Sequence, residues 1–186
     1  ISGLGIGSKW NDAFLDNLSA RTGGTCTYIA RYSDIRRFLK EKFIGLSRTY
    51  ADNVRFDFHL GKDVELRYAF RLAPEIAPLE TASPILMGGV PSSSNLAVVL
   101  EFMVPPIPTH ASRIALASGQ IVLDVPSLPT PTSVSRLRLF REVSSEPSPE
   151  AAPTGMLNAL SRLTLYRIQE RASQEISNGN PEGATQ

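Results

Sequence analysis

Residues 3–29, GLGIGSKWNDAFLDNLSARTGGTCTYI, contain the order of local signals that decides the fold class. Leu4 and Ile6 alternate with glycines, which indicates a short strand. Asn11 then stands where a helix N-cap is expected, and the glycine pair at 23–24 predicts a left-handed stop. The β-branched run that follows indicates a second strand. A strand, a helix and a strand in this order predict a parallel α/β unit.

The same alternation continues to residue 51. We expect Ser33 to cap a second helix, because apolar residues follow it at three- and four-residue spacing. These residues are Ile35, Phe38, Leu39, Phe43 and Leu46. Residues 1–51 hold eight Lys or Arg against four Asp or Glu, and the acidic residues are interleaved with the basic ones. This pattern indicates the solvated face of a helix rather than a nucleic-acid surface.

Residues 52–143 change from a period of 3.6 to a period of 2, which predicts an antiparallel β-sandwich. Apolar residues alternate with polar ones on both sides of a turn at 61–63, and we expect these two strands to pair as a hairpin with Arg71 on its wet face. The run at 96–104 is apolar on nearly both sides, so it is predicted to be a central strand.

The remaining residues read as a linker, a helix and a tail. Residues 144–153 are proline-rich and lack periodicity, and residues 179–186 are expected to fray. Between them, residues 154–178 form a predicted amphipathic helix with a wide apolar surface. This helix needs a partner, either elsewhere in the same chain or in another molecule.

Composition is that of a globular protein with one ordinary domain or two small ones. The chain has 186 residues, a net charge of +1 and no apolar run long enough to span a membrane. Cys26 is the single cysteine and is expected to be an inert buried thiol, because no histidine stands beside it. One cysteine and no recognisable signal peptide are compatible with a cytoplasmic location.

No catalytic, cofactor-binding or metal-ligating set is found in the sequence. The glycines near the N-terminus do not fit a phosphate loop, because Ser8 and Trp10 stand where a dinucleotide fingerprint needs its last glycine. His59 and His110 lack metal-ligand spacing to each other and to Cys26. For Trp10 we expect packing against the following helix, with a place at a ligand-binding rim as the alternative.

The first 54 residues nevertheless resemble the C-terminal part of a von Willebrand factor type A domain. The resemblance rests on the order of a Gly-Ile-Gly turn, an Asn-Asp-x-x-Leu-x-x-Leu helix, a Gly-Gly stop, a strand near Tyr28 and Ile29, and a last helix with Phe38 and Phe43. It implies the last two strand-helix units of a doubly wound α/β fold. The expected class is therefore α+β: this partial unit, the β-sandwich and the C-terminal helix.

The family implies a binding site for a divalent metal such as Mg²⁺, which begins with Asp-x-Ser-x-Ser and joins a partner's carboxylate. No aspartate of this chain begins that motif. The metal site is therefore expected upstream of Ile1 in a longer, bacterial protein, and no cofactor is expected in this fragment. By resemblance, Gly7, Ser8 and Trp10 lie near the rim of such a site.

These observations predict a non-enzymatic protein–protein interaction module. Helix faces and a sheet edge left without upstream partners favour self-association, so a homo-oligomer, most simply a dimer, is expected. No nucleic acid is expected as a partner. The alternative is a fragment of a Rossmann-like nucleotide-binding enzyme with a β-rich substrate domain. A carbohydrate-binding sandwich would need exposed aromatics, whereas Phe56, Phe58 and Phe70 alternate as inward-facing residues do.

Overall fold

The structure is a computed structural model, and it describes residues 1–7, 10–29, 31–108, 111–146 and 154–177. Ser8, His110, most of the predicted linker (147–153) and the predicted tail (179–186) lie outside the described residues. The chain divides into two compact units, Ile1–Glu146 and Pro147–Gln186. In the described part of the second unit there is one helix, α3 (Thr154–Ser177). Among the described helices, none has the length and apolarity that crossing a membrane requires.

The first unit begins with alternating strands and helices and continues with strands. Its elements in chain order are β1 (Gly3–Ile6), α1 (Asp12–Thr22), β2 (Cys26–Ile29), α2 (Tyr32–Ser47), β3 (Thr49–Leu60), β4 (Glu65–Ala73), β5 (Ala77–Leu79), β6 (Ile85–Pro91), β7 (Ala97–Met103), β8 (Arg113–Asp124) and β9 (Thr132–Glu142). The mixed α/β composition that the sequence predicts is therefore confirmed.

The N-terminal strand-helix-strand unit forms as its local signals predict. β1 and β2 pair in parallel, from Gly3 with Cys26 to Ile6 with Ile29. The Asn11 side chain caps α1 by accepting a hydrogen bond from the backbone N–H of Phe14 at 2.9 Å. Gly23 ends the helix at φ 65°, in the left-handed region that favours glycine.

The predicted cap of the second helix is wrong. α2 begins at Tyr32, and its N-cap is Arg31, which makes no side-chain capping hydrogen bond. Ser33 therefore lies inside the first turn. At this end Asp34 instead pairs with Arg31, whose Nε donates to Oδ2 at 3.0 Å. A carboxylate in the first turn also suits the helix dipole.

The β-rich part consists of two antiparallel sheets that share one hydrophobic core. One sheet has the order β6-β3-β8-β9 and the other has the order β5-β4-β7. Both sheets contribute buried side chains to the core, whose members are Ala51, Val54, Phe56, Phe58, Leu66, Ala69, Leu79, Ile85, Met87, Ala117 and Val125. Burial of the alternate residues of β3 is what its period of 2 predicts.

The predicted hairpin between β3 and β4 is not formed. β3 pairs with β6 and β8, whereas β4 pairs with β5 and β7. The turn at 61–63 carries the chain from one sheet to the other, and the N–H of Gly61 still donates to Leu116 O of the first sheet at 2.9 Å. Each strand has one apolar face, and strands in facing sheets bury both apolar faces against each other.

Two further expectations for the β-rich part are wrong. β7 is expected in the centre of a sheet, but among the described strands it pairs with β4 alone and lies at an edge. Arg71 is expected on the solvent-exposed face, yet it is only 3% exposed. The pairing of β4 with β7 shifts between Leu66 and Tyr68, and this extra residue moves Ala69 and Arg71 to the same face as the buried Leu66. A single added residue of this kind is not visible in an alternation pattern.

Gly5 lacks a side chain because the ring of Trp10 occupies the space beside it. A Cβ built at Gly5 would meet the indole carbons Cδ2, Cε3 and Cε2 of Trp10. The indole also stacks on Tyr28 of β2, with ring centroids 6.0 Å apart and an interplanar angle of 14°. The tryptophan therefore packs on the parallel sheet, and its ring stacks on a strand residue rather than on α1.

Gly5→Ala should destabilise the first unit because the added methyl displaces the indole of Trp10. We expect a loss of about 1–3 kcal/mol in the free energy of unfolding, as for other overpacked sites. Urea unfolding followed by the fluorescence of this single tryptophan measures the loss and the altered ring environment. Gly45→Ala is the control, since its Cβ meets nothing within 4 Å, and it should be neutral or slightly stabilising. Equal stability of the two variants would contradict the packing role.

Candidate functional site

The carboxyl end of the parallel sheet is where open α/β folds bind ligands. Here β1 ends at Ile6, Gly7 follows at φ 77°, and Trp10 stacks over the two strands. The side chains of Ile6 and Tyr28 are 41% and 51% exposed. Two of the three residues expected at this rim, Gly7 and Trp10, thus lie beside the strand ends, and the third, Ser8, lies outside the described residues.

The side chains described at this rim are suited to contact with another protein surface rather than to metal ligation. In the described part of the chain, no group of three or more His, Cys, Asp or Glu side chains is close enough together to hold a metal ion. Exposed apolar and aromatic side chains are present instead. A surface of this composition can bury area against another protein or chain segment.

The opposite, amino end of the sheet contains a buried cation that joins the α/β part to the β-rich part. The guanidinium of Arg71 in β4 donates to Gly23 O (2.6 Å), Met87 O (2.5 Å), Gly24 O (2.6 Å) and Glu75 O (3.0 Å). These four carbonyls come from the end of α1, from β6 and from the turn after β4. One side chain therefore satisfies backbone acceptors on three segments.

A second contact joins the same parts beside Arg71. Lys42 of α2 donates to both carboxylate oxygens of Glu75, at 2.6 and 2.5 Å, and to Thr25 Oγ1 at 3.1 Å. Burial opposes ionisation of Glu75, but the hydrogen bonds from Lys42 and Thr25 and the charges of Lys42 and Arg71 outweigh it. The net effect lowers the pKa of Glu75 below its usual value. Burial also lowers the pKa of Arg71, against the opposing charge of Glu75.

Two cavities of about 250 and about 420 Å³ lie beside this ion pair. Both are lined by Thr25, Glu41, Lys42 and Glu75. Three of the charged side chains at these cavities already have partners, since Lys42 binds Glu75 and the Arg71 donors bind carbonyls. These groups are arranged to hold the two parts of the unit together, which is a structural role.

Sequence reasoning missed Arg71 as a key residue. The signal available was an arginine inside the apolar run YAFRLA, four residues before Glu75. A charge in such a run is buried only with hydrogen-bond partners, and those partners are carbonyls of segments far away in sequence. Their positions follow from tertiary structure alone.

Cys26 lies at the start of β2, half-buried beside Asp16 of α1. Burial, together with the charge of Asp16 and the hydrogen bond to it, raises the pKa of its thiol to about 11. The thiol is therefore protonated near neutral pH and is a poor nucleophile. His59 is exposed on β3, and His110 lies outside the described residues.

The α/β part exposes several large apolar and aromatic side chains. Leu39 and Phe43, one helical turn apart on α2, are 44% and 68% exposed. The exposed large apolar and aromatic side chains between residues 1 and 50 are Ile1, Ile6, Phe14, Tyr28, Tyr32, Leu39, Phe43, Ile44 and Tyr50. β1 also pairs on one side only among the described strands. This part presents both an apolar helix face and an open sheet edge.

Comparison with solved structures finds a likeness in fold. The chain is similar to a protein described as von Willebrand factor type A from Catenulispora acidiphila, with a TM-score of 0.54 and 15% sequence identity. The likeness covers 75% of this chain and 34% of that one, so the chain spans about a third of that protein's length. Such coverage exceeds the first 54 residues, so the shared fold extends into the β-rich part. No family model matches the chain, and no curated protein matches it.

Arg71→Ala should destabilise the first unit strongly, because it leaves buried carbonyls without donors. We expect a loss of about 3 kcal/mol or more in the free energy of unfolding, measured by urea denaturation. Arg71→Lys should recover little, because one ammonium cannot reproduce the forked geometry. Arg67→Ala, at an exposed position of the same strand, is the control and should cost less than about 0.5 kcal/mol. A loss at Arg71 no larger than at Arg67 would contradict this role.

Glu75 should make stability fall in acid. Its pKa is lowered in the folded state, so its stabilising contribution is present above the ordinary value of 4.5 and is lost as pH falls through the lowered value. Glu75→Gln should therefore be less stable than the parent near neutral pH, and the difference should shrink between about pH 5 and about pH 3. Urea titrations across this range measure it. The exposed Glu80→Gln serves as control; a difference independent of pH would refute the assignment.

Proposed function

We propose that this chain is a non-enzymatic protein–protein interaction module from a bacterial, cytoplasmic protein with a von Willebrand factor type A fold. In this proposal residues 1–51 are the last two strand-helix units of the α/β domain. The two antiparallel sheets form a β-sandwich module over residues 52–143, joined by a proline-rich linker to the amphipathic helix at 154–178. The likeness in fold supports the architecture, and the interaction role is supported by the surface of the α/β part.

The observation that carries the proposal is the exposed apolar face of α2 together with the open edge of β1. Leu39 and Phe43 are 44% and 68% exposed, and an exposed apolar row on a helix gains stability when another surface covers it. An open edge offers backbone groups for pairing. Further segments of a longer protein, or a second copy of this chain, fit both features. We propose a homo-oligomer, most simply a dimer, for the chain as it stands.

The metal-dependent part of the proposal belongs to a longer protein. Gly7, Ser8 and Trp10 would form part of the rim around a divalent ion such as Mg²⁺, whose carboxylate and hydroxyl ligands are supplied by other segments. The described rim contributes aromatic and aliphatic surface. Its role would be to contact a protein partner beside the ion.

The enzyme alternative draws less support from the geometry. A nucleotide site needs free backbone N–H groups and unpaired cations at a helix N-terminus. α2 has no side-chain cap, but its first turn carries Asp34, which repels a phosphate. In the two cavities beside the ion pair, Lys42 is already bound to Glu75.

Self-association through α2 is tested with Leu39→Ser/Phe43→Ser. We expect the parent chain to dimerise at micromolar concentration, and the double variant to weaken the dimer at least about tenfold because buried apolar area is lost. Sedimentation equilibrium measures both dissociation constants. Arg37→Ser/Lys40→Ser, exposed positions on the same helix, is the matched control and should leave the dimer unchanged.

A parent chain that remains monomeric at about 100 µM would overturn the dimer. Two further measurements on the same sample separate the rival readings. A rise in melting temperature with a nucleoside triphosphate would favour the enzyme, since a ligand at about 100 times its dissociation constant stabilises by about 2.7 kcal/mol. Micromolar binding of Mg²⁺ by this chain, seen in calorimetry, would contradict a metal site formed by other segments.

A further inference from the structure

The last strand of the four-stranded sheet has an open edge along its whole length. β9 has 11 residues and pairs with β8 from Arg113–Glu142 to Asp124–Thr132. Among the described residues no strand lies on its other side. An edge of this length leaves several backbone N–H and C=O groups directed away from the sheet, ready to pair with an added strand.

The two faces of β9 differ in character. Leu137 and Leu139 pack against the shared core and are half-buried. The opposite face carries the alternate residues, with Arg136 and Arg138 in the middle. On this face Val134, which is 54% exposed, precedes the arginines. Phe140, which is 49% exposed, follows them and carries the guanidinium of Arg113 over its ring, and Glu142 ends the strand.

The two arginines have no acidic neighbours within the described sheet. The residues opposite them on β8 are neutral: Gln120 faces Arg136, and Ser118 faces Arg138. Asp57 on β3, across from Gln120, lies 3.6 Å from Arg55, and Glu142 at the end of β9 lies opposite Arg113. None of the ion pairs among the described residues involves β9. Arg136 and Arg138 thus place two exposed positive charges on one face of β9.

A second copy of the chain is a poor occupant for this edge. Antiparallel pairing of β9 with itself about Leu137 would set Arg136 of one copy opposite Arg138 of the other. Like charges directly opposite each other destabilise a strand pair. The arginines therefore select against self-pairing while they attract the opposite charge.

We propose that β9 is a docking edge for an extended acidic segment of a partner protein, which adds to the sheet as a further antiparallel strand. The partner segment has two acidic residues at alternate positions, opposite Arg136 and Arg138, with an apolar residue next to them against Val134. Its other face is apolar and extends the cover over Leu137 and Leu139. The proposal deepens the interaction role above and rests on it.

This edge is separate from the apolar face of α2. The added strand gains backbone hydrogen bonds, which give affinity without sequence preference, and the arginine row gives the preference for acidic segments. Arginine is suited to this task because its planar guanidinium can bind a carboxylate through two parallel hydrogen bonds.

The test uses the full chain and a capped peptide of about nine residues, alternating threonine and valine with glutamate at two alternate central positions. A second peptide has lysine in place of both glutamates. We expect the acidic peptide to bind at least about tenfold more tightly than the lysine peptide, by fluorescence anisotropy at low salt, and to weaken severalfold at about 0.3 M salt. Hydrogen exchange should show new protection in β9.

Arg136→Glu/Arg138→Glu should reverse the preference, so that the lysine peptide binds more tightly than the acidic one. Circular dichroism and thermal melting check that this variant folds as the parent does. Arg36→Glu/Lys40→Glu on α2 makes the same change in net charge at exposed positions and should keep the parent's preference.

Equal binding of the two peptides to the parent overturns the proposal, and so does an unchanged preference in the β9 variant. Tighter binding of a single-stranded oligonucleotide than of the acidic peptide would replace it with a nucleic-acid surface. Peptide-induced protection away from β9 would refute this edge while leaving an interaction role intact. Loss of self-association through α2 should leave peptide binding at β9 unaffected. Failure of the dimer hypothesis can therefore be distinguished from failure of the docking hypothesis.

Discussion

The buried guanidinium of Arg71 is the contact on which the arrangement of the first unit depends. It donates to carbonyls at the end of α1, in β6 and in the turn after β4, so the α/β part and the β-rich part meet at one cation. Burying a charge costs several kcal/mol unless its hydrogen-bonding capacity is used. Here the acceptors are backbone groups whose own burial would be costly without donors. The same contact therefore offsets the desolvation of the guanidinium and of the carbonyls. The Lys42–Glu75 ion pair is a second contact between the two parts, beside the first.

Local chemistry explains how much of the fold follows from the sequence. The cap at Asn11, the left-handed glycine at 23 and the parallel pairing of β1 with β2 all depend on signals within a few residues, and they form as predicted. The alternation of β3 correctly identifies its buried face, because a strand shows its faces whatever its neighbours are. Which strand pairs with which depends instead on the three-dimensional course of the chain. For that reason the β3–β4 hairpin and the central position of β7 were wrong.

The candidate site likewise has features that could be predicted from the sequence and features that could not. Gly7 and Trp10 could be placed at the carboxyl end of β1 because that end follows from the strand-helix order. The stacking of Trp10 on Tyr28, and its packing over Gly5, required knowledge of the neighbouring strand. The role of Arg71 could not be predicted from the sequence, because a shift in pairing between Leu66 and Tyr68 sets the direction of its side chain. Open surfaces were predicted in part. The helical spacing in the sequence indicates the apolar row of α2, whereas the importance of the β9 arginines follows from the edge position of that strand in the structure.

The passage of the chain from β3 to β4 through the turn at 61–63 has a consequence for how the protein reaches this structure. β3 does not pair with the next strand along the chain. It pairs with β6 and β8, and the register joins residues as distant in sequence as Asp52 and Asp124. Sheets built from such distant pairings have high contact order and fold slowly, because loop-closure entropy is lost before the contacts form. During synthesis the apolar faces of β3 and β4 would both emerge well before β8 exists. The order of strands along the chain thus makes β3 and β4 dependent on strands that are synthesised later, and a chaperone that shields these two strands during that interval would protect them from misassembly.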